Sequence, residues 1–298
     1  MGDVLAGFHA AWEFESDSVL IRYERGIRTP KLFQALGERR VPLEAIEGVT
    51  LTPGRRGTVV LRVEPRAGAD PLIEAAAGQL KEGGDPYRLV LPAERETLAE
   101  YYADELRALL TESGRTERYL VAPPEAPLHF KAYDGKASFD GKSVSFRWSW
   151  TGASSAKWKA GDQSFPVADL GGVEWRSPEM FEGYLRLLPR DADASAPGAA
   201  AGAAGAAPAV PQADQDPAAV VFGLGYGPVH ESLPFAAAVL AAVRERGTGA
   251  PVPITVPAPR RDPADIAERI RHLGELHQQG LVTDEEFSSK KAELLAEL

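Results

Sequence analysis

The residue types that carry most enzyme chemistry are sparse and scattered in this 298-residue chain. The five histidines, His9, His129, His230, His272 and His277, stand apart, and no His/Asp/Glu spacing matches a metal site. His272 and His277 are five positions apart, too far round a helix to share a face. Cysteine is absent, which excludes thiolate ligands, disulfides and cysteine nucleophiles. Gly223-Leu-Gly-Tyr-Gly227 has the glycine content of a phosphate loop but not its G-x-G-x-x-G spacing, and reads as a strand end and turn. There is no G-x-S-x-G elbow and no Walker loop. Catalytic residues, metal ligands and cofactors are therefore not expected. Trp148, Trp150, Trp158 and Trp175 could build an aromatic recognition face, but their alternation with polar residues favours core packing.

Charge is the more informative feature. The chain carries a net charge of −10, which opposes nonspecific binding of nucleic acid. Yet Leu20–Arg40 holds Arg22, Arg25, Arg28, Lys31, Arg39 and Arg40 against Glu24 and Glu38. The stretch Lys131–Lys159 is likewise basic, with Arg147, Lys157 and Lys159 at its end. The candidate anion-binding residues are Arg22, Arg25, Arg28, Lys31, Arg147, Lys157 and Lys159, with a solvated strand face as the alternative. Glu94–Glu112, by contrast, is acidic.

These cations sit at matching places because the chain repeats itself. Phe14–Tyr23 aligns with Phe139–Trp148, Val41–Leu51 with Phe165–Trp175, and Leu61–Pro65 with Leu185–Pro189, all at nearly one offset. Asp85-Pro86 and Asp216-Pro217 then open the next strand pair. Each copy reads as strands followed by one helix. Val144, Phe146, Trp148 and Trp150 alternate as in a half-buried strand, and so do Val19, Ile21 and Tyr23. Thr58–Val63, Tyr87–Leu91, Tyr184–Leu188 and Ala219–Leu224 are further strands. Leu98, Tyr101, Tyr102, Leu106, Leu109 and Leu110 predict the face of a closing helix, and Phe235, Val239, Leu240 and Val243 predict its counterpart. The expected class is α+β, with a helix plugging or covering a bent antiparallel sheet in each copy. The expected boundaries are residues 1–112 for the first repeat, 113–127 for a linker and 128–246 for the second repeat. Within the second repeat, 191–215 is an alanine/glycine/proline insertion expected to be disordered. A proline-rich linker follows at 247–263.

Residues 264–298 read as a helical hairpin. Ile266, Ile270, Leu273 and Leu276 form one stripe, Gly280 ends the helix, and Thr283 with Glu286 makes a capping box for a second helix. Phe287, Leu294, Leu295 and Leu298 line its inner face. So small a hairpin buries too little apolar surface to stand alone, so it docks on its own chain, pairs with another copy or holds a partner. The tether favours intermolecular use. Self-association is expected through Ile266, Ile270, Leu273, Leu276, Phe287, Leu294 and Leu295.

Ser18-Val-Leu-Ile-Arg-Tyr23 and Ser143-Val-Ser-Phe-Arg-Trp148, followed by Val41-Pro-Leu and Phe165-Pro-Val, resemble the actinobacterial domain of unknown function 4429, in tandem. The resemblance implies two pleckstrin-homology-like (PH-like) domains, each a seven-stranded bent sheet closed by a C-terminal helix. Gly280-Leu-Val-Thr-Asp-Glu-Glu-Phe-Ser-Ser-Lys-Lys291 resembles the core of the SHOCT (short C-terminal) domain and implies an oligomerising tail. Neither family carries an established activity. The expected function is a non-enzymatic binding or scaffold protein, a homo-oligomer with an unidentified protein partner. The alternative is a peripheral membrane or anionic-phospholipid sensor using the basic strand pair of each repeat. Met1–Ala11 has no basic stretch followed by an apolar core, so a cytoplasmic location is expected.

Overall fold

The structure is a computed structural model, and it describes residues 3–180, 182–190 and 212–248. The disorder expected of 191–215 falls, but for 212–215, outside the described residues, and the hairpin at 264–298 lies wholly outside them.

The first repeat opens with four strands in meander order: β1 (Asp3–Ala6), β2 (Ala10–Phe14), β3 (Ser18–Tyr23) and β4 (Glu38–Pro42). A short helix, α1 (Lys31–Leu36), interrupts the β3–β4 connection. A second antiparallel sheet follows, made of β5 (Ile46–Pro53), β6 (Thr58–Pro65) and β7 (Arg88–Pro92). Helix α2 (Pro71–Ala76) lies between β6 and β7, and α3 (Glu96–Leu109) closes the repeat. The second repeat follows the same plan. Strands β8 (Leu128–Lys131), β9 (Gly135–Phe139), β10 (Ser143–Trp148) and β11 (Gln163–Pro166) form its first sheet, with α4 (Ser155–Ala160) between β10 and β11. Its second sheet is β12 (Leu170–Arg176), β13 (Tyr184–Pro189) and β14 (Ala219–Val221), and α5 (Val229–Thr248) closes it. The class is α+β, with antiparallel sheets and few helices.

The likeness extends to irregularities. Both repeats carry a β-bulge at the start of the second sheet, between Ile46 and Gly48 and between Leu170 and Gly172. Both join their two sheets at the same corner, where Phe8 N–H donates to Val90 O at 2.7 Å and Tyr133 N–H to Val221 O at 3.0 Å. Gly7 belongs to the first corner, because a Cβ there would lie 2.5 Å from Val90 O. An Asp-Pro turn opens the last strand of each repeat. Asp85 accepts from Tyr87 N–H and from Arg62 Nε, both at 3.0 Å. Asp216 accepts from Ala218 N–H at 2.8 Å and from Arg186 Nε at 2.9 Å.

The two closing helices differ, and the difference builds the molecule. Helix α3 is amphipathic and packs one face on β5 and β6. The buried residues are Ala99, Tyr102, Ala103 and Leu106, whereas Leu98, Tyr101 and Leu109 are exposed. Of the stripe read from the sequence, Tyr102 and Leu106 face the core and Leu110 packs against it, whereas Leu98, Tyr101 and Leu109 do not. Alanines fit where the helix approaches the sheet closely, and larger side chains flank them. Helix α5 is apolar nearly all round, from Leu233 to Val243, as a helix covered on both sides must be. One side packs on β12 and β8, and the other is covered by α1 and α2 of the first repeat. Leu32, Leu72, Ala75 and Ala76 accordingly belong to the core of the second repeat, with Phe130, Phe146, Trp175 and Phe235. Burying Leu32 and Leu72 there contributes about 1.5–3 kcal/mol each.

Polar contacts bind the same seam. Arg244 on α5 makes a two-pronged pair with Glu74 on α2, at 2.6 and 2.8 Å, and donates to Gly68 O at 3.0 Å. Its guanidinium lies 3.8 Å from the centre of the Tyr119 ring. Gln79 donates to Trp175 O and accepts from Ser177 N–H, both at 2.9 Å. The expected linker 113–127 also belongs to the packed body. Val121 is buried in the first core, and Leu120 and Val121 N–H both donate to Ala69 O. Arg66 holds the carbonyls of Ser113 and Gly114 at 3.0 Å.

Candidate functional site

The basic strand pairs do not assemble as one surface. Arg22, on β3, is exposed but paired with Glu13 at 2.5 Å and Glu38 at 3.3 Å. Arg40 is paired with Glu15. Arg39 is buried and pairs with Asp70 at 2.8 Å. Arg147 is half-buried on β10, and Lys159 is exposed on α4. Arg25 and Arg28 are exposed on the β3–α1 connection, beside exposed Glu24, and Lys31 is exposed at the start of α1; none of the three cations is in a salt bridge among the described residues.

Lys157 is the clear correction. It is fully buried, with Nζ 2.5 Å from Asp134 Oδ2 and 2.8 Å from Ala219 O. Its ammonium sits 5.0 Å from the centre of the Trp148 ring. Burial pulls the Lys157 ammonium below its ordinary range and pushes the Asp134 carboxyl above its own, more than their mutual attraction restores. No external anion reaches Lys157. The reason is helical phase: α4 turns position 157 toward the sheet and leaves Trp158 and Lys159 outside. Trp150, read as a strand residue, lies beyond the end of β10 and packs edge-to-face on Trp158 at 4.7 Å, both partly exposed. Trp148 and Trp175 are core residues, as their alternation predicted.

A second buried network lies in the first repeat. Asp70 caps α2 by accepting from Leu72 N–H at 2.8 Å, and it also takes the Tyr87 hydroxyl at 2.6 Å and the Arg39 guanidinium. Tyr23 donates to Pro86 O at 2.8 Å. Burial raises the hydroxyl pKa of both tyrosines; it disfavours the Arg39 charge, which Asp70 more than restores. The network is buried and braces the fold. Its signal was present in the sequence, since Asp70-Pro71 is a helix start, but no element was placed between the strands Thr58–Val63 and Tyr87–Leu91.

The concavity that reading missed lies at the junction of the repeats. It encloses about 960 Å³ between Pro30, Lys31 and residues 80–84 on one side and residues 178–180 and 223–230 on the other. Met180, Leu224 and Tyr226 expose apolar surface there, Leu224 completely. Lys81 and Glu179 pair across it at 3.1 Å. The Gly223–Gly227 segment on its wall is a turn closed by Tyr226 N–H to Gly223 O at 3.0 Å, as its spacing predicted. His230, at the start of α5, is held below the ordinary imidazole range by burial and by Lys31, with Glu231 opposing. Such a groove combines exposed apolar surface with a few polar side chains, the character of a binding site. Among the described residues no cluster of three or more histidines, aspartates and glutamates is placed to hold a metal ion.

The family model described as domain of unknown function (DUF4429) matches residues 12–107 and again residues 137–240. The chain belongs to the DUF4429 family. Both DUF4429 segments run from the second strand of a repeat into its closing helix, so each match contains one copy of the plan described above. The short C-terminal domain, SHOCT, matches residues 268–295, outside the described residues. No curated protein matches the chain. Among the described residues no helix is long and apolar enough to cross a membrane.

Proposed function

We propose that this DUF4429 protein is a non-enzymatic binding or scaffold protein, and that each repeat is a PH-like module. The division of each repeat into a four-stranded and a three-stranded antiparallel sheet, closed by one helix, supports the PH-like reading. The observation that carries the binding reading is the groove between the repeats. Exposed Met180, Leu224 and Tyr226 gather there, while the buried ionic groups Arg39, Asp70, Asp134 and Lys157 are engaged with one another inside the repeats. An apolar segment of a protein partner is the occupant that such a surface fits. The SHOCT tail, through Ile266, Ile270, Leu273, Leu276, Phe287, Leu294 and Leu295, is proposed to join copies of the chain and so raise the effective concentration of weak grooves.

Light scattering on the full chain and on residues 1–248 tests the tail. The full chain is expected to have a multiple of the truncated mass. A full chain that stays monomeric at high concentration overturns the scaffold reading. A second reading, a peripheral membrane or anionic-phospholipid sensor, is supported by exposed Arg25 and Arg28 on the β3–α1 connection and exposed Lys31 at the start of α1. It is weakened on the strand faces, where Arg22 is paired and Lys157 is buried.

A further inference from the structure

We propose that the β3–α1 loop, residues 24–30, is an insertion tip for an anionic bilayer, with Ile27 as the side chain that enters it. The inference rests on the second reading above and names the part of the chain that makes the contact. Ile27 has 106% relative exposure, the most of any large apolar side chain among the described residues. It is flanked by exposed Arg25 and Arg28, with Lys31 at the start of α1. None of the three cations has an acidic partner among the described residues, unlike Arg22, Arg39 and Arg40 on the adjoining strands.

The loop is held in shape rather than left to collapse. Thr29 N–H donates to Gly26 O at 3.1 Å and closes a turn around Ile27 and Arg28. The Gln34 side-chain amide donates to Gly26 O and Thr29 O, both at 2.9 Å. Buried Thr29 approaches His9 Nδ1 at 3.3 Å, and Glu24 N–H donates to His9 O at 2.9 Å. An isoleucine braced at the apex of a turn pays the solvation penalty of an exposed apolar side chain unless something covers it. Free cations beside an apolar apex match a surface with anionic headgroups above a hydrocarbon layer. A protein pocket would more readily take the apex without calling for three unpaired cations. The equivalent loop of the second repeat, 149–154, also exposes an apolar side chain, Trp150, near exposed Lys159. One isoleucine and three cations make a weak anchor, so the contact is measured at millimolar lipid.

The test is co-sedimentation of the full chain with sucrose-loaded vesicles of phosphatidylcholine alone, or with about a third phosphatidylserine, at low and physiological salt. The wild type is expected to pellet with the anionic vesicles at low salt and not with the neutral ones. Ile27→Asp is expected to weaken binding at least about tenfold, and Ile27→Leu to retain it. Arg25→Gln and Arg28→Gln are each expected to weaken it about fivefold and to flatten its salt dependence. Because Ile27 is fully exposed, none of these variants should alter the circular dichroism spectrum. If the wild type fails to pellet at low salt, both the membrane reading and the insertion tip fall. If Ile27→Asp pellets as the wild type does, the protein binds lipid elsewhere and the tip alone falls.

Discussion

Lys157 and Phe33 occupy the same slot in their two repeats. Phe33, on α1, stacks on Tyr23 of β3 with ring centres 4.8 Å apart. Lys157, on α4, lies over Trp148 of β10, the residue that aligns with Tyr23. The fold therefore asks for a bulky side chain that packs on an aromatic ring, and in the second repeat a lysine meets that need. Its charge then requires Asp134.

The pair sets up a double-mutant cycle. Lys157→Ala leaves the Asp134 carboxyl buried without its cation and is expected to destabilise the protein by about 3–5 kcal/mol. Lys157→Met combined with Asp134→Asn removes both charges, keeps an acceptor for the Val221 N–H, and is expected to recover most of that loss. Urea denaturation of Lys157→Ala and of the double variant checks this. A single variant within about 1 kcal/mol of wild type would contradict the burial of the pair.

The seam between the repeats makes them interdependent. Arg244→Leu loses the two-pronged pair with Glu74 and the bond to Gly68 O, and is expected to cost about 2–3 kcal/mol. Residues 128–248 expressed alone expose the side of α5 that α1 and α2 cover, so they are expected to bind a hydrophobic dye and to give poorly dispersed amide spectra. Sharp, well-dispersed spectra from that fragment would mean that the second repeat folds without the first.

The groove predicts a separation of stability from binding. Leu224 is 102% exposed, so Leu224→Asp is expected to shift stability by less than about 0.5 kcal/mol. The same variant, and Met180→Asp, are expected to lose at least about tenfold in affinity for a protein captured by the wild-type chain. Quantitative pull-down against wild type reads the effect, and undiminished capture by both variants argues that partners dock elsewhere.

His230 gives a pH dependence of definite sign. Burial and Lys31 lower its folded pKa below the ordinary value of 6.5, so the folded state binds fewer protons than the unfolded one. Stability should be full above pH 6.5 and decline as pH falls from there through the folded pKa, then level off. The neighbouring charges are Lys31, which strengthens the effect, and Glu231 at 3.7 Å, which opposes it. His230→Gln should flatten this part of the profile, as read by thermal melts between pH 7.5 and 5.

The sequence by itself determined the repeat and the plan of antiparallel strands closed by one helix in each copy. Those are properties of local periodicity, and they appear twice in corresponding positions. It also carried the reading of Gly223–Gly227 as a turn. It did not place Lys157 in a core, because a lysine between half-buried Ala156 and exposed Trp158 is chemically a surface residue until a helix turns it toward Asp134, 23 positions away. Nor did it make α5 the shared wall of both repeats. That helix is apolar enough to be covered twice, but its cover, α1 and α2, belongs to the other repeat. The same holds for Val121 in its linker and for the three cations left unpaired beside Ile27. Which charges find acids and which apolar faces find cover are decided by residues brought together over long stretches of chain. Only the tertiary packing of one repeat against the other fixes those partners.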